Sequence, residues 1–170
     1  MKKRNNVTRV VNIVLLVISM LTIFLFSSEN GNSSDKTSET VGVKVVETVE
    51  KVTKKEVDEV KITDMVKNNM KIIRKGAHFI EYFILGYLLI NIFKDYNRVT
   101  YKYILLSIVI ACFYACGDEV HQLFVVGRTA RAFDVIIDTI GAGVGALCYY
   151  GIYTYILRKP NYSKNSVDLA

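Results

Sequence analysis

Apolar residues in this chain bunch into four runs separated by polar stretches. The first, Val10 to Phe26, is broken only by Asn12, Ser19 and Thr22. The second starts at Ala77 and ends near Phe93, with His78 and Glu81 in its first turns. The third stays apolar from Tyr101 to Cys116 and then interleaves Asp118, Glu119, His121 and Gln122 with Val120, Leu123 and Phe124, so one helix can continue through it. The fourth, Thr139 to Leu157, carries no charge and contains Gly141, Gly143 and Gly145, a spacing that lets a neighbouring helix approach closely. At about 1.5 Å per residue such runs match a hydrocarbon core of roughly 30 Å. The pattern predicts an all-α integral membrane protein with four transmembrane helices, at 10–26 and about 77–93, 101–121 and 134–157.

The first run follows a basic head of Lys2, Lys3, Arg4 and Arg9, as a cleaved signal peptide would. It exceeds the usual apolar region of such a peptide, and Phe26 to Asn30 lacks a small-x-small cleavage pattern, so an uncleaved anchor is expected. Between runs one and two the composition changes. Gly31 to Thr40 reads as a flexible polar linker, and Val41 to Lys71 mixes valines with alternating Lys and Glu. Val46, Val49, Val57 and Val60 fall on one helical face, which suggests a loosely amphipathic helix or coiled segment at the membrane surface, or a solvated spacer, so a long charged, partly helical loop is expected between helices 1 and 2. The expected organisation is a basic cytoplasmic tail (1–9), an extracytoplasmic linker and amphipathic segment (27–73), a core (74–157) and a cytoplasmic tail (158–170).

The 170 residues are 51% hydrophobic with a mean hydropathy of +0.27, high for a soluble domain, which agrees with the membrane reading. Twenty-two Lys and Arg against 16 Asp and Glu leave a net charge of +6, but the basic residues gather at the ends of apolar runs, where topology explains them better than nucleic acid does. Cys112, Cys116 and Cys148 all lie in apolar runs, so neither a disulfide framework nor a zinc site is expected.

Four crossings have a geometric consequence independent of orientation. The segment before run two and the loop between runs three and four share one side of the membrane. Arg74, Lys75, His78 and Glu81 therefore meet Asp118, Glu119, Gln122, Arg128, Arg131, Asp134 and Asp138 there. Orientation follows from charge: the basic head faces no acid, and Lys94, Arg98, Lys102, Arg158, Lys159 and Lys164 share its side, so both termini are expected in the cytoplasm. The ten Lys and Arg between Ser27 and Gly76 argue the other way, but nine acids are interspersed among them.

Helical spacing sorts the polar residues into stripes. Arg74, His78 and Glu81 share a face, as do Lys75 and His78, Asp118 and Gln122, and Asp134 and Asp138. Ionisable groups at bilayer depth are costly unless paired or wet, so the stripes should face one another. One reading is packing alone, with Arg128 or Arg131 bound to Asp134 or Glu119 and His78 to Glu81. The number of carboxylates and cations exceeds that need and favours a site. Cys112 and Cys116 read as packing residues and His121 as an interfacial one. The chain has no nucleophile elbow, zinc-protease motif or phosphate-binding loop, and no Ser or Cys beside a His. Carboxylates, cations and one His suit a phosphate or pyrophosphate; a divalent cation is compatible, with no metal ligand assigned and no cofactor identified.

Three ordered blocks carry a resemblance. They are Arg74-Lys75-x-x-His78-Phe79-x-Glu81-Tyr82-x-x-Leu85-Gly86, then Asp118-Glu119-x-x-Gln122-x-Phe124-x-x-Gly127-Arg128, then Asp134-x-x-x-Asp138-x-x-Gly141-x-x-x-Gly145. Together they resemble the VanZ-like family of bacterial membrane proteins, named for a protein associated with resistance to the glycopeptide teicoplanin. Phe26-Ser27-Ser28 at the end of run one resembles the family too. The resemblance implies that Lys75, His78, Glu81, Asp118, Glu119, Gln122, Arg128 and Asp134 are signature polar positions. Val126 stands where the family often has Pro, and Asp138 where Asn is also common.

The expected function is a cell-envelope protein whose outer polar site binds a lipid-linked or cell-wall component through Arg74, Lys75, Gln122, Arg128, Asp134 and Asp138, and so lowers glycopeptide susceptibility. Membrane lipid, a lipid-linked wall precursor or the glycopeptide itself are the expected partners. The alternative is a membrane enzyme acting on a phosphate- or carbohydrate-bearing lipid. His78, Glu81, Asp118 and Glu119 are then the catalytic candidates and Arg128 an anion clamp. An ion-coupled carrier is disfavoured by four spans without a broken-helix repeat.

Overall fold

The structure is a computed structural model that describes residues 6–53, 59–93 and 99–157. Those residues form six α-helices and no strand: α1 (Asn6–Ser28), α2 (Gly31–Thr53), α3 (Glu59–Asn68), α4 (Met70–Phe93), α5 (Tyr101–Gln122) and α6 (Ala132–Ile152). A π-helical turn, Tyr153–Leu157, continues α6. The basic residues Lys2, Lys3, Arg4, Lys94, Arg98, Arg158, Lys159 and Lys164, on which the orientation argument leans, lie outside the described residues, as does the tail from residue 158.

Four helices are long and apolar enough to cross a bilayer: Asn6–Ser28, Met70–Phe93, Tyr101–Gln122 and the extended α6, Ala132–Tyr155. All four were expected from the apolar runs, but α4 starts seven residues before its run does. Its 24 residues span about 36 Å against a core of roughly 30 Å, so the turn bearing Lys71, Arg74 and Lys75 emerges at the interface. A helix ends where its backbone hydrogen bonds end, and charge at the rim does not stop it.

The segment between α1 and α4 departs from expectation. It is not a long loop with a flexible linker, since Gly31–Thr53 is one continuous helix that packs on α3 and α4. Its buried residues are Ser34, Ser38 and Gly42, a stripe of small residues four apart, and not the valines. Val41, Val45, Val49 and Val52 lie on the exposed side. Beneath the small stripe, α3 contributes the buried Ile62 and Val66. Val46, four residues beyond Gly42, continues the stripe half-buried, while Val49 on the same face is exposed; close approach is confined to the small residues. Val57 and the side chain of Val60 lie outside the described residues.

The bundle is centred on α4, which touches α1, α2, α5 and α6. Its buried Tyr82, Leu85 and Leu89 meet Ile23 of α1, Ala111 and Ala115 of α5 and Ala142 of α6. A second cluster, Ile90, Val99, Ala146 and Tyr149, closes the far end. Outward-facing Val10, Val14, Leu21, Leu25, Phe113 and Leu147 leave an apolar exterior that suits lipid. Cys116 and Cys148 are on that exterior and Cys112 is half-buried, so of the three cysteines Cys112 alone contributes to packing.

The α4–α6 contact is backbone on backbone. A side chain at Gly86 would collide with the carbonyl of Ala142, and one at Gly145 with the carbonyl of Phe83. The glycine spacing seen in the sequence is therefore the seam along which these helices meet. Gly86→Ala or Gly145→Ala is expected to destabilise the bundle by about 1–3 kcal/mol, because backbone has to move. Gly117→Ala, at a glycine with no atom within 4 Å of the new carbon, should be tolerated. Thermal unfolding of the detergent-purified variants checks the contrast.

Candidate functional site

The polar site is built where α1 ends, α4 and α6 begin and α5 ends. α1 stops after Phe26-Ser27-Ser28, and both serines reach α5. The Ser27 hydroxyl donates to Asp118 Oδ2 at 2.7 Å, and Gln122 Nε2 donates to the same oxygen at 3.1 Å and to Ser27 Oγ at 3.3 Å. All three side chains are buried. Ser28 Oγ lies 3.0 Å from His121 Nε2, and the His121 ring stacks on Phe24 with centroids 4.6 Å apart. Asp118, Gln122 and His121 thus fasten α1 to α5.

Arg128 is the second fastening. Its Nε donates to the Glu29 carbonyl at 3.0 Å, and its Nη2 donates to the Phe26 carbonyl at 2.8 Å and to Ser34 Oγ at 3.0 Å. A helix C-terminus leaves its last carbonyls without intrahelical partners and carries partial negative charge, so a guanidinium there serves both needs. Burial, followed by the nearby Arg74, pushes the guanidinium below its ordinary pKa, while Glu29, Asp118 and Asp35 act in the opposite direction. The loop that carries Arg128 is itself docked: Gly31 N–H donates to the Val126 carbonyl at 3.0 Å. Gly127 adopts a positive φ of 78°, and a side chain at Gly31 would strike the Gly127 carbonyl. The two glycines lie back to back and join the start of α2 to the α5–α6 loop.

The remaining groups surround a cavity of about 560 Å³. Arg74 and Lys75 of α4, Glu119 and Gln122 of α5, Arg131 of the loop and Asp134 and Asp138 of α6 line it, with His78, Arg128, Lys67 and Lys71. Lys75 bonds Asp134 directly. Arg74 stands 3.4 Å from Asp35 of α2, and Lys67 stands 3.6 Å from Glu39. Glu119 Oε2 accepts the backbone N–H of Arg131 at 2.8 Å. His78 Nδ1 is 3.3 Å from Glu81 Oε2, an ion-pair separation without hydrogen-bond alignment, and the buried nitrogen has no hydrogen-bond partner among the described residues.

The structure thus brings together the three blocks that the parity of crossings placed on one side. It divides them by task. Asp118 is held by Ser27 and Gln122, and Glu81 turns away from the main cavity to line a smaller one with His78. Asp134 is paired with Lys75 and not with Arg128 or Arg131, and Glu119 is met by the Arg131 backbone and not by its guanidinium. Ser34, Asp35, Glu39 and the Gly31–Gly127 contact were missed in the sequence, where they lie in a stretch read as linker or spacer. The recurrence of Ser34, Ser38 and Gly42 at intervals of four was the signal available. No group of three His, Cys, Asp or Glu able to hold a metal ion occurs among the described residues.

Because three of the five N–H donors of Arg128 go to the α1–α2 junction, Arg128→Lys should loosen that junction even though the charge is retained. The expected result is faster proteolysis within α2 with the four spanning helices still embedded. A proteolysis pattern identical to that of the unchanged protein would assign Arg128 to the cavity instead.

No curated protein and no solved structure matches the chain. The family model described as VanZ/LLP1 matches residues 12–157, a stretch that takes in three of the candidate spans whole, the first from residue 12 onward, and every residue of the polar site. With the fastened α1–α5 end, the glycine seam and the cavity all inside that match, the chain belongs to the VanZ/LLP1 family of membrane proteins.

Proposed function

We propose that this multi-pass protein sits in the bacterial cell membrane with both termini in the cytoplasm, and that its cavity opens on the outer face to bind the anionic headgroup of a lipid-linked or cell-wall component. Binding there is the step that links the protein to teicoplanin tolerance. The observation that carries this reading is the charge of the cavity wall: six cations, Lys67, Lys71, Arg74, Lys75, Arg128 and Arg131, against four acids, Asp35, Glu119, Asp134 and Asp138. Lys71 and Arg131 have no ion-pair partner among the described residues, so their charge is directed at whatever enters. The cavity volume lies in the range of small-molecule sites, and phosphate or pyrophosphate supplies the missing negative charge.

A second reading, turnover of a phosphate- or carbohydrate-bearing lipid, draws on one further observation. Glu119 and Asp138 reach the cavity beside His78, which is the placement a general acid and base would need. Release of product from a lipid extract, abolished by Glu119→Gln at normal abundance, would favour the enzyme over the binder.

Lys71→Gln and Arg131→Gln break no described ion pair, so both variants should accumulate normally. In a deletion strain complemented with either, teicoplanin susceptibility is expected to rise toward that of the deletion, and anionic lipid copurifying with the protein should fall about tenfold. Normal lipid content and full tolerance in both variants would remove the cavity from the function. Orientation has its own test. A single Cys placed at the exposed Lys36 of α2, in a background without Cys112, Cys116 and Cys148, should react with an impermeant thiol reagent in intact cells. Protection until permeabilisation would put the cavity in the cytoplasm.

A further inference from the structure

Beside the polar cavity lies a smaller one of about 110 Å³, between the end of α1, the start of α2 and the first turns of α4. Phe26, Val41, Ile73 and Ala77 contribute apolar wall, and Val41 and Ala77 are exposed at its rim, on the outside of the bundle. Arg74, His78 and Arg128 line both cavities, so the two adjoin at these side chains. We infer that the two cavities form one amphiphile site: the ligand is a lipid whose anionic headgroup occupies the larger cavity, while the first part of its chain leaves through the smaller one, between α1, α2 and α4, into the bilayer. This rests on the headgroup reading above and narrows it from a lipid-linked or cell-wall component to a lipid, with a stated path for its chain.

Charge sorts the two halves of such a ligand. The shared Arg74 and Arg128 are offset on the smaller cavity's side by Glu29 and Glu81, whereas on the larger side Lys67, Lys71, Lys75 and Arg131 already balance the four acids, so the two arginines leave an excess of two cations there. An anionic head is drawn to the larger cavity and only an uncharged continuation suits the smaller. A water-soluble anion would have no use for an apolar annex that opens at the interfacial turn of α4. α2 matters here because Thr37, Ser38 and Val41 supply the wall opposite Ala77. Without that helix the annex would be an open groove on α1 and α4.

The test uses the full chain in phosphatidylcholine nanodiscs with two probes: inorganic pyrophosphate, and phosphatidylglycerol bearing a photoreactive group near the head of its acyl chain. Ala77→Trp and Val41→Trp fill the annex, and neither residue lines the polar cavity. The expected result is that the photoprobe labels residues 37–41 and 73–77 in the unchanged protein. Labelling should fall at least fivefold in both tryptophan variants, while pyrophosphate binding stays within twofold. Should one variant fail to assemble, the other, on a different helix, still decides. Photolabelling unaffected by either substitution, with pyrophosphate still bound, would overturn the annex and leave the headgroup site standing. Pyrophosphate and lipid binding that are both indifferent to Lys71→Gln and Arg131→Gln would remove the headgroup reading, and this inference with it.

Discussion

The structure depends on how the end of α1 is satisfied. A spanning helix that stops at Ser28 presents partnerless carbonyls at the edge of a medium that does not solvate them. Arg128, reaching from the α5–α6 loop, takes the Phe26 carbonyl in the last turn, the Glu29 carbonyl just beyond the helix and the hydroxyl of Ser34 with one guanidinium. That single side chain ties together the first span, the helix that follows it and the loop joining the last two spans. Ser27 and Ser28 complete the attachment by bonding Asp118 and approaching His121 on α5.

From that attachment the placement of the insert follows. With Gly31 held against Gly127, α2 has one course available, across the first turns of α4, and its small residues permit close contact. The helix thereby becomes a wall of the cavity and not an appendage. Asp35 on Arg74 and Glu39 on Lys67 are ion pairs near the surface, of modest energetic weight individually; with Lys75 paired to Asp134 and Arg128 engaged at the α1–α2 junction, Lys71 and Arg131 are the cavity cations without an ion-pair or side-chain hydrogen-bond partner among the described residues. The polar residues of this family member are therefore of two kinds, those that join helices and those that face the cavity, and the distinction cannot be made by residue type.

Much of the architecture was legible in the chain. Apolar runs close to the thickness of a bilayer located the four spans because length and hydropathy are local properties. Parity of crossings then brought Arg74, Lys75 and His78 to the end where Glu119, Asp134 and Asp138 lie, since a helix that crosses must deliver its ends to opposite sides. The close α4–α6 seam was visible as Gly141 and Gly145, four residues apart, for a glycine lets two backbones come within reach. What the sequence determined, in short-range terms, was which segments are helices in lipid and which polar groups share a side.

Pairing was decided by the tertiary structure. Arg128 and Asp134 are close in sequence and opposite in charge, yet Arg128 serves carbonyls about 100 residues away and Asp134 serves Lys75, because satisfying the end of α1 requires a fork of planar donors and the loop holds Arg128 within reach of it. That the helix Gly31–Thr53 begins at Gly31, in the stretch 31–40 expected to be a flexible linker, was hidden for a related reason. Its residues are polar and β-branched, poor helix formers by local preference, and the helix is supported by docking against α3, α4 and the Gly127 loop, contacts that no window of neighbouring residues contains.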